Sequence, residues 1–254
     1  MVLRQFLHQE SAGISYLIGC GGHGLAAVID PVGPLEPYLQ AAQAGGMRIA
    51  YVVDTHIHAD HVSASPDLAG ATGAEHVLSA LAGVSFPCTA VADGDVLQLG
   101  NVVVRVLHTP GHTPEHICLL VSDLRRAEEP WFVLTGHTLM VGDLGRTELA
   151  SSAEAGARDL FHSMQRLAAL PDHVEVLPGA YAGSACGRSL SGKPWSTMGF
   201  ERRHNPAMGI SDEIAFIAHM AMGIPPAPPG ADAIRALNMR GLPAGSTAEA
   251  GQGI

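Results

Sequence analysis

Apolar residues along this chain come in short runs closed off by turn residues, and few stretches have helical spacing. Leu3–His8 and Ser15–Ile18 read as the two strands of a hairpin, and Leu25–Ile29 as a third strand stopped by Asp30-Pro31. Pro34–Ala44 has helical spacing, with proline near its start and Gly45-Gly46 at its end. Arg48–Val53 is short, β-branched and of the buried type, and it runs straight into a histidine-rich segment. A helix is expected around Val62–Ala71.

The second half repeats the style. Strands are expected at His76–Leu78, Val102–Leu107, His116–Val121, Trp131–Leu134 and Val174–Leu177, with an amphipathic helix at Ala153–Ala169 ended by Leu170-Pro171. Each half has strands with helices outside them, which predicts an α/β fold: an αββα sandwich of two mixed sheets flanked by helices. After Ala221 the composition changes. Residues 225–244 form a proline-rich extension with a short helix around Asp232–Leu237, and residues 245–254 read as a mobile tail. The length of 254 residues suits one domain spanning 1–244.

Composition narrows the function. The formal charge is −10 and no basic run exists, which argues against a nucleic-acid partner. No window reaches about 18 uninterrupted apolar residues, so no membrane span is expected. Cys20, Cys88, Cys118 and Cys186 are scattered with no C-x-x-C pair, which reads as free thiols in a reducing, cytoplasmic setting. Histidine is the outlier, with fourteen copies.

The histidines cluster where strands end. His56-x-His58-x-Asp60-His61 puts four potential ligands just beyond Arg48–Val53. On an extended segment His56 and His58 point to one side and can converge on one ion, while Asp60 and His61 face a neighbouring position. Thr109-Pro110-Gly111-His112-Thr113 follows the next strand, and its Pro-Gly turn presents His112 at a strand end. Thr135-Gly136-His137-Thr138 is a third such turn.

Together these motifs, T-H-x-H-x-D-H, T-P-G-H-T and T-G-x-T-L-x-x-G-D, resemble the metallo-β-lactamase superfamily. Ala27–Pro31, Gly145–Glu148, Glu201-Arg202-Arg203 with Asn205-Pro206, and Asn238-Met239-Arg240 look like its glyoxalase II and persulfide dioxygenase branch. Two positions depart from the pattern. The aspartate that bridges two metals in the dinuclear hydrolases is replaced by His137, and the turn that carries a later histidine reads Pro178-Gly179-Ala180-Tyr181. Asp143 is a nearby carboxylate, read as a turn residue. A neutral imidazole cannot offset the repulsion of two cations as a bridging carboxylate does, so the sequence favours one metal.

The resemblance implies one Fe(II) per chain held by His56, His112 and His137, with Zn²⁺ as the alternative. It implies a small-molecule thiol or persulfide, such as glutathione persulfide, and O₂ as substrates. His58, Asp60 and His61 would then orient ligands and relay protons, with Asp54 as a further candidate. Arg146, Arg202 and Arg240, with Arg203 beside them, are candidates for a substrate carboxylate. A homodimer is common among such relatives. The competing readings are a zinc-dependent, glyoxalase II-like thioester hydrolase, with His56, His58 and His112 as ligands, and a non-catalytic metal-binding relative.

Overall fold

The computed structural model describes residues 1–241. In the first sheet β1 (Val2–His8), β2 (Gly13–Cys20), β3 (Leu25–Ile29), β4 (Arg48–Val53), β5 (Glu75–Ser79) and β6 (Thr89–Val91) lie side by side in sequence order. The first three are antiparallel and the rest parallel. The helices α1 (Glu36–Ala44) and α2 (Ser65–Thr72) make the crossovers that parallel neighbours need. The second sheet holds β7 (Val96–Leu99), β8 (Val102–His108), β9 (Ile117–Asp123) and β10 (Phe132–Gly136). A two-stranded hairpin of β11 (Leu139–Met140) and β12 (Asp143–Leu144) follows, then α3 (Ala153–Ala168) crosses over to β13 (Glu175–Pro178), parallel to β10, with β14 (Ser196–Thr197) at the edge. After β14 the described residues form α4 (Met198–His204), α5 (Glu213–Ala221) and α6 (Ala231–Arg240).

The layering follows from alternation along the strands. In β2, Ile14, Tyr16 and Ile18 point into the core between the sheets, while Leu17 points out beneath α1 and α2. In β9, Ile117, Leu119 and Val121 face the same central core, while Cys118 lies in the layer under α3. The expected αββα sandwich of two mixed sheets is therefore the fold observed. Phe132, 2% exposed, is a keystone of the central layer, and truncating it to alanine would cost about 3–5 kcal/mol. The amphipathic helix α3 is capped by the Ser152 hydroxyl, which accepts from the Ala155 N–H. Leu160, Phe161, Met164 and Leu167 form its buried face.

Several elements were not anticipated. The strands β6, β7 and β14 are only 3, 4 and 2 residues long. The helices α4 and α5 are 7 and 9 residues long, too short to hold a helix by propensity. α5 is held by docking on α3, where Phe161 and Phe216 meet with ring centroids 5.3 Å apart. The helix expected at 232–237 is longer at both ends. The expected tail at 245–254 and the boundary at 244 lie outside the described residues. Among those described, no helix is long and apolar enough to cross a membrane.

Candidate metal centre

The turns after β4, β8 and β10 bring His56, His112 and His137 together, with one ligand nitrogen from each lying within 4.8 Å of the others. All three side chains are buried. The backbone forces the placement. Gly136 has φ +48°, and a Cβ there would lie 2.6 Å from His116 Nε2 and 2.7 Å from Thr55 Oγ1. Gly111, φ +141°, sits so close to α3 that a Cβ would meet Leu160 Cβ at 2.5 Å. Glycine at both turns lets His137 and His112 follow directly.

The hydrogen bonds fix which nitrogen faces the centre. Thr55 Oγ1 donates to Asp30 Oδ2 at 2.8 Å, so the hydroxyl can only accept from His56 Nδ1 at 2.9 Å. That leaves the His56 Nε2 lone pair buried with no partner. His112 Nδ1 donates to the Arg146 carbonyl at 2.7 Å, which leaves its Nε2 lone pair 3.3 Å from His137 Nδ1. Burial holds His56 well below the usual imidazole range, pushes His112 down to about 3 and lowers His137, with mutual repulsion among the histidines adding to the effect at His56 and His112. Neutral imidazoles with inward lone pairs and an orphaned nitrogen fit a bound cation.

The rest of the first cluster lies beside these three and makes contacts of its own. His58 Nε2 lies 3.1 Å from Asp30 Oδ1, and its Nδ1 faces Asp60 at 3.6 Å. Burial alone would lower this imidazole, but the Asp30 and Asp60 carboxylates raise it well above its ordinary value. Asp60 also faces His61 Nδ1 at 3.1 Å. Burial would raise the Asp60 carboxyl, yet His61 and His58 hold it well below the usual range. Neither carboxylate oxygen of Asp60 nor either ring nitrogen of His61 has a hydrogen-bond partner. Both residues line a cleft of about 630 Å³ walled by Leu7–Ser11 and Val32–Pro34. His56, His58 and Asp60 also gather within 4.8 Å, so the ligand set of the hydrolase reading is only partly assembled.

Arginines expected to meet substrate have other work. Arg146 is 5% exposed, and every nitrogen of its guanidinium is engaged, by Glu148 and by the carbonyls of Ala185, Pro225 and Pro226. Arg202 grips Asp172 and the carbonyls of Ala168 and Leu170 at the end of α3, and Arg203 reaches the same Asp172. Arg240 is exposed at the last position of α6. Asp143 is paired with Arg188 at 2.8 Å and accepts from the N–H groups of Leu144, Arg188 and Ser189, so it serves the turn. Asp54 accepts from Ser63 and Ser65 and pairs with His76 at 2.8 Å, which ties the loop to the start of α2. Burial would raise Asp54, but the hydrogen bond and charge of His76 bring it to about 2. Ala180 is buried in a bridge to Gly13 and offers no ligand atom.

Four residues of the site were not among the candidates drawn from the sequence. Asp30 accepts from the Thr55 N–H, the Thr55 hydroxyl and His58, and so orients both first-loop imidazoles. His116 is stacked on His56 with ring centroids 4.9 Å apart, but its Nε2 accepts the His137 N–H, so it buttresses rather than ligates. Glu115 accepts from the Ile57 N–H. Cys186 brings a buried thiol within 4.8 Å of Asp60 and His137 ligand atoms. Burial and the Asp60 charge hold that thiol well above its ordinary range, hence protonated. A lone cysteine in a Gly/Ser-rich loop gave no reason to expect it here.

The chain matches the Metallo-beta-lactamase superfamily over residues 10–179. It is 31% identical over 218 residues to "Persulfide dioxygenase ETHE1, mitochondrial" of Bos taurus, covering 84% of this chain and 78% of that one. It is 36% identical over 159 residues to a hydroxyacylglutathione hydrolase of Rhizobium johnstonii, covering 61% of this chain and 57% of that one. The solved structure of ETHE1 from Myxococcus xanthus superposes with a TM-score of 0.82 at 34% identity, covering 94% of this chain and 98% of that one.

Proposed function

The chain belongs to the metallo-beta-lactamase superfamily, and from that premise we propose that it is a persulfide dioxygenase-like enzyme holding one Fe(II) on His56, His112 and His137. The observation that carries the reading is the convergence of three neutral, inward-facing imidazoles while Ala180 supplies nothing to a second ion. Three protein ligands leave open positions on a six-coordinate ion. Bound there, the iron would supply redox chemistry and adjacent positions for a substrate sulfur and O₂. The near-complete mutual coverage with the Myxococcus xanthus structure supports this branch over the hydrolases, which align over a shorter span.

The overall change is balanced as persulfide plus O₂ plus water giving thiol, hydrogen sulfite and a proton. The terminal sulfur loses four electrons and O₂ gains them. The protein's own groups hold the reactants. Substrate enters by the cleft whose wall includes Asp60 and His61. Asp60, held ionised by His61 and by His58, which Asp30 fixes, would orient substrate or water at this wall by accepting hydrogen bonds. The substrate is glutathione persulfide or a related small thiol. Arg146 and Arg202 are engaged within the protein, while Arg203 and Arg240 are exposed.

The test is metal content on anaerobically purified protein, read with O₂ uptake on adding glutathione persulfide. Iron at one per chain with substrate-dependent O₂ uptake supports the reading. Zinc with no O₂ uptake, and hydrolysis of a glutathione thioester, would replace it with the hydroxyacylglutathione hydrolase-like alternative that the 36% identity favours. Absence of both activities would leave a metal-binding relative.

A further inference from the structure

The family match ends at residue 179, yet the metal-bearing turns are fastened from behind by the last described segment of the chain. Three anchors make the fastening. Arg146, whose carbonyl orients His112, donates through its guanidinium to the carbonyls of Pro225 and Pro226 at 2.7 and 2.9 Å. On α6, Arg235 donates to the Ile57 carbonyl at 2.8 Å and pairs with the buried Glu115 at 3.1 Å, and the same Glu115 oxygen accepts the Ile57 N–H at 3.0 Å. One turn further, Asn238 donates through Nδ2 to the carbonyls of His58 and His61 at 2.9 and 3.0 Å and accepts the Ser63 N–H on Oδ1 at 3.0 Å. A single amide thus closes three backbone hydrogen bonds across the bend that carries His58, Asp60 and His61. Met239 packs against Ile57 and Leu78 in a small apolar cluster, and its carbonyl accepts the Ser85 N–H, which keeps the helix seated.

We propose that Asn238 is a positioning residue for the metal centre, setting the path of the His56–His61 loop, with Arg235–Glu115 joining that loop to the turn of His112. It rests on the three-histidine reading above. The irregular backbone of residues 57–63 has no ladder of its own, and its carbonyls and N–H groups need partners. Asparagine is the residue that can donate two hydrogen bonds and accept one at this reach. Aspartate would face the two carbonyls with a carboxylate, and alanine would leave them unpaired. Outer partners of this kind change metal affinity by about 10- to 100-fold.

The experiment titrates Co²⁺ into metal-free full-length protein and reads both affinity and the d–d absorption bands, which report ligand geometry. Asn238→Ala and Asn238→Asp are expected to weaken Co²⁺ binding by about tenfold or more and to change the bands. Asn238→Gln, which keeps the amide on a longer arm, should recover part of both. Met220→Ala, a cavity in the α3–α5 layer, controls for lost stability and should lower Tm while leaving the bands as in the parent. If Asn238→Ala gives parental affinity and bands, or shifts them no more than Met220→Ala does, the positioning role is wrong. If the alanine variant does not fold, Asn238→Asp decides, and parental bands and affinity in it would refute the positioning role. A parent protein that binds no Co²⁺ would instead sink the metal centre itself.

Discussion

The loop after β4 and the two turns of the second sheet both present histidines, but they do so differently. The first packs His56, His58, Asp60 and His61 into six residues and leaves buried atoms of all four without hydrogen-bond partners. The second sheet offers one histidine per turn, with His112 fixed by the Arg146 carbonyl and the His137 backbone fixed by His116. Density in sequence did not translate into a complete ligand set. His56 of the dense cluster joins both His112 and His137, while His58 turns to Asp30, and Asp60, itself within 4.8 Å of His137 and Cys186 ligand atoms, faces the cleft with His61. A site spanning two sheets draws ligands where strand ends converge, and a loop that folds back on itself cannot aim every side chain at one point.

The largest expected effect separates the two regions directly. His112→Ala should remove nearly all bound metal and activity, whereas His58→Ala should weaken metal binding only about tenfold, as an outer partner does. Elemental analysis after anaerobic purification decides it, and equal loss in the two variants would place His58 among the ligands. Next comes the exchanged position. His137→Asp should keep the metal, and His137→Ala should lose most of it together with O₂ uptake. Intact metal content and activity in the alanine variant would overturn the three-histidine set.

Acid separates His58 from His56, His112, His116 and His137 by sign. His56, His112, His116 and His137 have folded pKa values below the ordinary 6.5, so the unfolded chain binds more protons and stability is lost as pH falls below about 6.5. His58 opposes this, because its raised pKa contributes stability that is present below about 6.5 and lost as pH rises through the raised value. Four groups outweigh one, so the Tm of metal-free protein should drop by roughly 5 °C or more between pH 7 and pH 5 in a thermal scan. A flat profile would mean that these four imidazoles are not buried neutral. The smallest effect is expected at Arg202→Ala. Its partner Asp172 is exposed, so stability should change by about 1 kcal/mol or less and KM should stay at the parental value in steady-state kinetics. A KM rise would return Arg202 to the substrate.

The sequence by itself determined the sandwich and the place of the metal centre. Short continuous apolar runs commit the strands to burial on both faces, and glycine or proline beside histidine at a strand end marks where a side chain leaves the sheet. It also exposed the exchange at His137 and the loss at Ala180, because those are changes of residue type within a motif. Tertiary structure alone decided the rest. Arg146 looked free in a polar turn, yet the proline segment some eighty residues later folds over its guanidinium. Asp30, Glu115, Cys186 and Asn238 reach the site from four separate stretches of chain, and no local pattern records a partner that far away. Periodicity reports which face of an element is buried, whereas hydrogen-bond partners are chosen by which loops the packed sheets bring within about 3 Å of one another.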